Sequence, residues 1–135
     1  MMADILLEPV ARSSCAAIAA ACLQAASRAP DAVVLVLAAD HHIPDADAFA
    51  SAVGAALVDV AGGRLMTFGI APDQPATGYG YILPGGRLTA AHEVDGFVEK
   101  PDRIQAEKMI SSGYLWNSGN FLFRVDAFMA ELQRL

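Results

Sequence analysis

Five consecutive apolar residues, Val33-Val34-Leu35-Val36-Leu37, lead through two alanines to Asp40-His41-His42. This run constrains the fold more than any other stretch. β-Branched side chains favour extended backbone. An unbroken apolar run, rather than an alternating one, predicts a strand covered on both faces, as in parallel sheets. Helical patterns lie on either side of it. Ser13 and Ser14 can each cap a helix running to about Arg28, with Ile18, Cys22 and Leu23 as its larger apolar residues and Ala29-Pro30-Asp31 as its end. Pro44-Asp45 opens a second helix, with Phe49, Val53, Leu57 and Val60 at helical spacing, and Gly62-Gly63 ends it. Ile5 to Leu7, closed by Glu8-Pro9, reads as a strand end, and residues 65–70 read as a further strand. Strand, helix, strand, helix, strand is the order of an α/β fold.

The second half changes character. Turn formers fill residues 74–80, and residues 79–83 and 91–99 flank Pro84-Gly85-Gly86, which predicts a hairpin turning at that triplet. Asp102 and Gln105 form a capping pair for a helix that ends near Gly113. Residues 120–125 form a strand, and Asp126 caps a last helix.

Charge narrows the function classes. The net charge is −6, and no Lys/Arg run occurs. A nucleic-acid groove needs a basic stripe to displace counterions, so no nucleic-acid partner is expected. A phosphorylated small molecule stays open, because one metal ion and one lysine reverse the field locally. The start lacks a basic segment followed by a signal-length apolar stretch, and the longest apolar runs, 16–23 and 32–39, are too short to span a bilayer. A cytoplasmic protein without membrane contact is expected. Cys15 and Cys22 are seven residues apart on one helix, roughly 10 Å along its axis, too far for a disulfide.

Several residues could carry chemistry. Asp40 stands just past the apolar strand, where ligands sit in open α/β sheets. It suits a Mg²⁺ held on a phosphate, or it caps a turn. His41 and His42 point apart on extended chain, so no zinc site is expected. In Thr77-Gly78-Tyr79-Gly80-Tyr81, glycine lets backbone approach a ligand, or merely turns the chain into a strand. In Phe97-Val98-Glu99-Lys100-Pro101, the proline holds Lys100 extended, so a carboxylate and an ammonium emerge together from a strand end. Glu99 can accept from sugar hydroxyls, and Lys100 can place a point charge on a phosphate. Alternation sets neighbours on opposite faces, so both meet one ligand only if the strand twists or ends there. A solvated ion pair is the alternative. In Trp116-Asn117-Ser118-Gly119-Asn120, Asn117 has the donor and acceptor a sugar hydroxyl needs, or belongs to an ordinary Asn-Ser-Gly turn.

Taken in order, these motifs resemble the sugar-phosphate nucleotidyltransferases, in their GDP-mannose pyrophosphorylase branch. The matching residues are Leu7-Glu8-Pro9 with Arg12, Ala17-Ile18-Ala19, Leu37-Ala38-Ala39-Asp40-His41, Thr67-Phe68-Gly69-Ile70, Thr77 to Ile82, Phe97 to Pro101 and Trp116 to Gly119. The resemblance implies a Rossmann-like α/β/α sandwich with a small sugar-binding sheet. It implies transfer of a guanylyl group from GTP to mannose 1-phosphate, giving GDP-mannose and pyrophosphate, with Mg²⁺. By position, Asp40 would bind the metal, Gly80 would meet the sugar through its backbone, Glu99 and Asn117 would bind the sugar, and Lys100 its phosphate. Asp40 and Lys100 would be the catalytic pair, and Glu8 and Arg12 would lie near the nucleotide.

The chain departs from the family in two places, with Ser13-Ser14 for Asn-Thr and Ala38 for Pro. No stretch of residues 1–135 matches the family's opening strand and glycine-rich loop, since neither Gly62-Gly63 nor Gly85-Gly86 follows a buried strand and opens a helix. Residues 1–135 are therefore expected to be an internal part of a catalytic domain, inactive alone, with a second metal carboxylate beyond Leu135. A homo-oligomer is left open. A non-catalytic sensor of nucleotide sugars, a truncated product, and an enzyme acting on glucose 1-phosphate are the alternatives.

Overall fold

The computed structural model describes residues 3–10 and 13–134. Its elements run α1 (Ser14–Ala26), β1 (Val33–Val36), α2 (Ala46–Ala61), β2 (Met66–Ile70), β3 (Gly80–Arg87), β4 (His92–Glu99), α3 (Arg103–Ser111), β5 (Leu115–Arg124) and α4 (Val125–Leu132). The α/β order expected from the sequence is present. Residues 5–7 differ: they are irregular and exposed, because no described strand lies beside them to take their backbone hydrogen bonds.

All five strands form one sheet, and β5 is its hub. Leu122 pairs with Leu35 of β1 and with Met66 of β2, so β1 and β2 flank β5 on opposite edges. Both are antiparallel to β5 and hence parallel to each other. The crossover through α2 thus joins parallel strands, but it leaves a gap between them that β5 fills from the far end of the chain. This corrects the expected burial of β1. Val34 and Val36 pack toward α1 and α4, whereas Val33 and Leu35 are 47% and 37% exposed on the other face.

The core has two parts, one on each side of the sheet. Cys22, Phe123 and Val125 join α1, β5 and α4, with Ile18, Val34 and Val36 packed around them. Ala56, Val60, Met66 and Leu122 join α2 to β2 and β5. Neighbouring residues of β5 therefore anchor opposite layers, as strand alternation dictates. On α2 it is Ala56 rather than the expected Leu57 that faces the sheet, and Leu57 is 44% exposed. The small alanine lets the helix backbone approach β5. Cys15 is exposed, Cys22 is buried, and both are free thiols.

The caps hold where carboxylates were expected, with one exception. Asp45 accepts from the N–H of Ala48 at 2.8 Å and Asp102 from that of Gln105 at 2.8 Å. Gly113, at φ 83°, follows α3 in the left-handed region that favours glycine. Asp126 is inside the first turn of α4 rather than at its cap, and pairs there with Arg124. The β3–β4 hairpin also differs from expectation. Pro84-Gly85-Gly86 lies within β3, and the turn is at Leu88 to Ala91, where the Leu88 N–H donates to the Ala91 carbonyl at 2.8 Å. The register shifts beside Pro84, the kind of irregularity in which a strand tolerates a residue without an N–H.

Asp59, near the end of α2, is buried and accepts from the backbone N–H groups of Ala90 at 3.0 Å and Thr89 at 3.3 Å. It ties the helix to the hairpin turn. The Ala90 N–H holds its carboxyl below the usual range, against the opposing effect of burial, with Thr89 helping. A depressed folded pKa adds stability above the unfolded value and loses it as pH falls through the folded value. Unfolding midpoints should therefore drop below about pH 4, and Asp59→Asn should flatten that drop. Denaturant titrations at stepped pH measure it; equal acid sensitivity in the variant would remove Asp59 from the account.

Candidate active site

A cleft of about 330 Å³ opens where β1 and β2 end and β5 begins. Asp40, His41, His42 and Ile43 line it from the loop after β1, Ile70 from β2, Tyr79 from the glycine-rich turn, and Trp116, Asn117, Ser118 and Asn120 from β5. Asp40 and Asn117 thus share one cavity. The two histidines stand beside Asp40, but no group of three or more metal-ligating side chains occurs among the described residues.

Asn117 is held by a bulge. Gly69 pairs with Asn117 and Thr67 with Phe121, so residues 118–120 stand opposite Phe68 alone. Gly119 takes φ 72° there. The Thr67 hydroxyl donates to Asn117 Oδ1 at 2.7 Å, and the Gly119 N–H donates to the same oxygen at 3.3 Å. The carbonyl end of the carboxamide is thereby fixed. Asn120 is buried, and its Oδ1 accepts from the N–H of Ala38 at 3.4 Å. One bulge therefore orients Asn117 and tethers the segment that carries Asp40. The motif expected to precede a strand is itself strand: β5 starts at Leu115, not Asn120.

Glu99 and Lys100 form a second group. β4 ends at Glu99, and Lys100 takes φ 47°, the one positive value among the described non-glycine residues. Proline disfavours right-handed helical backbone in the residue before it, and Lys100 avoids that region by turning left-handed rather than staying extended as expected. The turn cancels the strand alternation and brings Lys100 Nζ to 3.2 Å from Glu99 Oε1. The Lys100 N–H donates to the Tyr79 carbonyl at 3.2 Å, which binds this pair to the cleft wall.

Register connects the two groups. Gly80 pairs with Glu99, and Tyr81 with both Val98 and Trp116, so the strand neighbours of Tyr81 and Trp116, Gly80 and Asn117, lie side by side. Glu99, Gly80 and Asn117 form one row across three strands and share a face of the sheet. A Cβ on Gly80 would stand 2.8 Å from Glu99 Oε2 and 2.9 Å from Phe97 Cζ, so glycine makes room there for both side chains. Glu8 is exposed in the irregular segment and does not line the cleft; Arg12 lies outside the described residues.

The family model described as nucleotidyl transferase matches residues 2–135. The chain belongs to the nucleotidyl transferase family. It is 48% identical to the mannose-1-phosphate guanylyltransferases of Klebsiella pneumoniae and of Escherichia coli strain K12, in each case over 97% of this chain. It spans 29% of the length of each of those relatives. A crystal structure of a mannose-1-phosphate geranyltransferase from Thermus thermophilus superposes with a TM-score of 0.87 at 39% identity, covering 96% of this chain and 38% of that one.

Divalent metal ions are general in nucleotidyltransferases, and Asp40 fits one. A single carboxylate on an open cleft suits Mg²⁺, which keeps waters and takes substrate phosphate oxygens rather than an all-protein cage. The sequence motifs contain Thr67 and Asn120 but assign neither a role. Neither type announces a role; only the bulge, a tertiary feature, brings them to Asn117 and Ala38. Thr67→Val keeps the shape and removes the donor to Asn117. It should cost about 1 kcal/mol of stability, as urea unfolding would register; unchanged stability would show that the Thr67–Asn117 hydrogen bond contributes nothing to the fold.

Proposed function

We propose that this segment forms the sugar-phosphate side of a mannose-1-phosphate guanylyltransferase active site, within a catalytic domain longer than these residues. The observation that carries the reading is the row of Glu99, Gly80 and Asn117 with Lys100 turned onto it. A carboxylate and a carboxamide on one open face suit vicinal hydroxyls, and an ammonium at its end suits a phosphate. The names of the relatives supply the sugar and the nucleotide.

In this reading Glu99 and Asn117 orient the sugar, the backbone of Gly80 meets it, and Lys100 holds its phosphate. An oxygen of that phosphate attacks the α-phosphorus of GTP in line. The new P–O bond forms as the bond to the β-phosphate oxygen breaks, and pyrophosphate leaves with the electron pair. Both partners are anionic, so positioning and charge neutralisation dominate the catalysis. Asp40 would hold Mg²⁺, whose charge screens the triphosphate. Glu8 and Arg12 are assigned to the nucleotide side. No helix among the described residues is long and apolar enough to cross a membrane, and a cytoplasmic setting suits substrates of this kind. The test is pyrophosphate release from GTP by the protein that carries this segment, with mannose 1-phosphate or glucose 1-phosphate as acceptor. Release with mannose 1-phosphate is expected to dominate; a preference for glucose 1-phosphate would overturn the assignment of the sugar.

A further inference from the structure

Of the six phenylalanines, five pack partly or wholly into the protein, and Phe97 alone is exposed, at 53%. A phenyl ring has no polar atom to explain a place in water, so its surroundings are informative. Phe97 pairs with Ile82 and lies two residues before Glu99 on β4, hence on the face that carries the row of Glu99, Gly80 and Asn117. Its ring edge reaches the space above Gly80, where a Cβ would stand 2.9 Å from Cζ. With Asn117 it also lines a largely apolar trough of about 380 Å³ that continues along β5.

An apolar ring face is thus bordered by a carboxylate, a carboxamide and an ammonium. A pyranose has the complementary chemistry: hydroxyls around its rim and a patch of C–H groups on its face. We propose that Phe97 is the platform on which the pyranose ring of the sugar phosphate stacks, a positioning role distinct from the polar contacts. This rests on the reading of Glu99, Gly80, Lys100 and Asn117 as the sugar-phosphate site. Phe97 acts on the ring and Lys100 on the phosphate, so the two contributions separate experimentally.

The test uses the protein that carries this segment and two probes, mannose 1-phosphate and inorganic phosphate, titrated by calorimetry. Phe97→Ala should weaken mannose 1-phosphate binding about threefold to tenfold and leave inorganic phosphate binding unchanged. Phe97→Tyr should restore the affinity. Phe97→Leu, apolar but without the aromatic face, should recover it only in part, and circular dichroism should show all variants folded. Saturation of the aromatic protons should transfer to pyranose C–H protons in the wild-type chain and fade in Phe97→Leu. Unchanged mannose 1-phosphate affinity in Phe97→Ala, with Lys100→Ala weakening both probes, overturns the platform and keeps the site. Mannose 1-phosphate affinity indifferent to Lys100→Ala overturns the site reading instead, and absence of saturable mannose 1-phosphate binding in the wild-type protein that carries this segment overturns both.

Discussion

Leu122→Ala is expected to lower the unfolding free energy by about 2–5 kcal/mol. Leu122 is 2% exposed and sits on the strand that every layer touches. Its backbone pairs with Leu35 on one edge and Met66 on the other, and its side chain packs with Ala56 and Val60 of α2. A cavity there is walled by a helix and three strands, which cannot all close on it at once. Leu57→Ala removes the same atoms from α2 itself, yet Leu57 is 44% exposed, so that change should fall within about 1 kcal/mol. Urea unfolding of the two variants compares them directly. A comparable loss from both would mean that α2 packs through a different stripe from the one described.

Leu57 also marks how far the sequence could be read. Helical spacing selected Phe49, Val53, Leu57 and Val60, and three of those do face the core. The helix is apolar almost all round, so periodicity cannot choose between Ala56 and Leu57; the distance of closest approach to β5 does. The caps at Asp45 and Asp102 were legible because one side chain and one N–H three residues on suffice to make them. The identity of β1 as a strand was legible, but its burial was not. The place of β5 between β1 and β2 is decided by pairing between residues 33–36 and 121–124, far apart in the chain, and no local pattern encodes it. The same holds for the site. Asp40 and Asn117 stood out as residue types at strand ends, whereas their shared cleft depends on the bulge at Gly119. Glu99 and Lys100 were expected to diverge by strand alternation unless the strand ended there, and the left-handed turn at Lys100 brings them together.

That turn makes Lys100 the most instructive position to vary. If Lys100 holds the acceptor phosphate as proposed, Lys100→Ala in the protein that carries this segment should reduce the use of mannose 1-phosphate by roughly 10- to 150-fold, the equivalent of one charge-assisted contact of about 1.5–3 kcal/mol, with little change in GTP binding. Left-handed backbone costs a residue with a Cβ about 1–2 kcal/mol, whereas glycine adopts it freely. Part of that gain is offset by the greater freedom of glycine in the unfolded chain. Lys100→Gly should therefore unfold at higher denaturant than Lys100→Ala, by about 0.5–1 kcal/mol, while losing the sugar phosphate to the same degree. The two variants would then differ in stability and share the loss of binding, and that shared loss is what a lysine present only for a solvated ion pair with Glu99 would not produce. Steady-state kinetics with each substrate varied in turn, together with unfolding curves of both variants, decide the matter. Equal losses toward GTP and mannose 1-phosphate in Lys100→Ala would place this ammonium away from the acceptor phosphate.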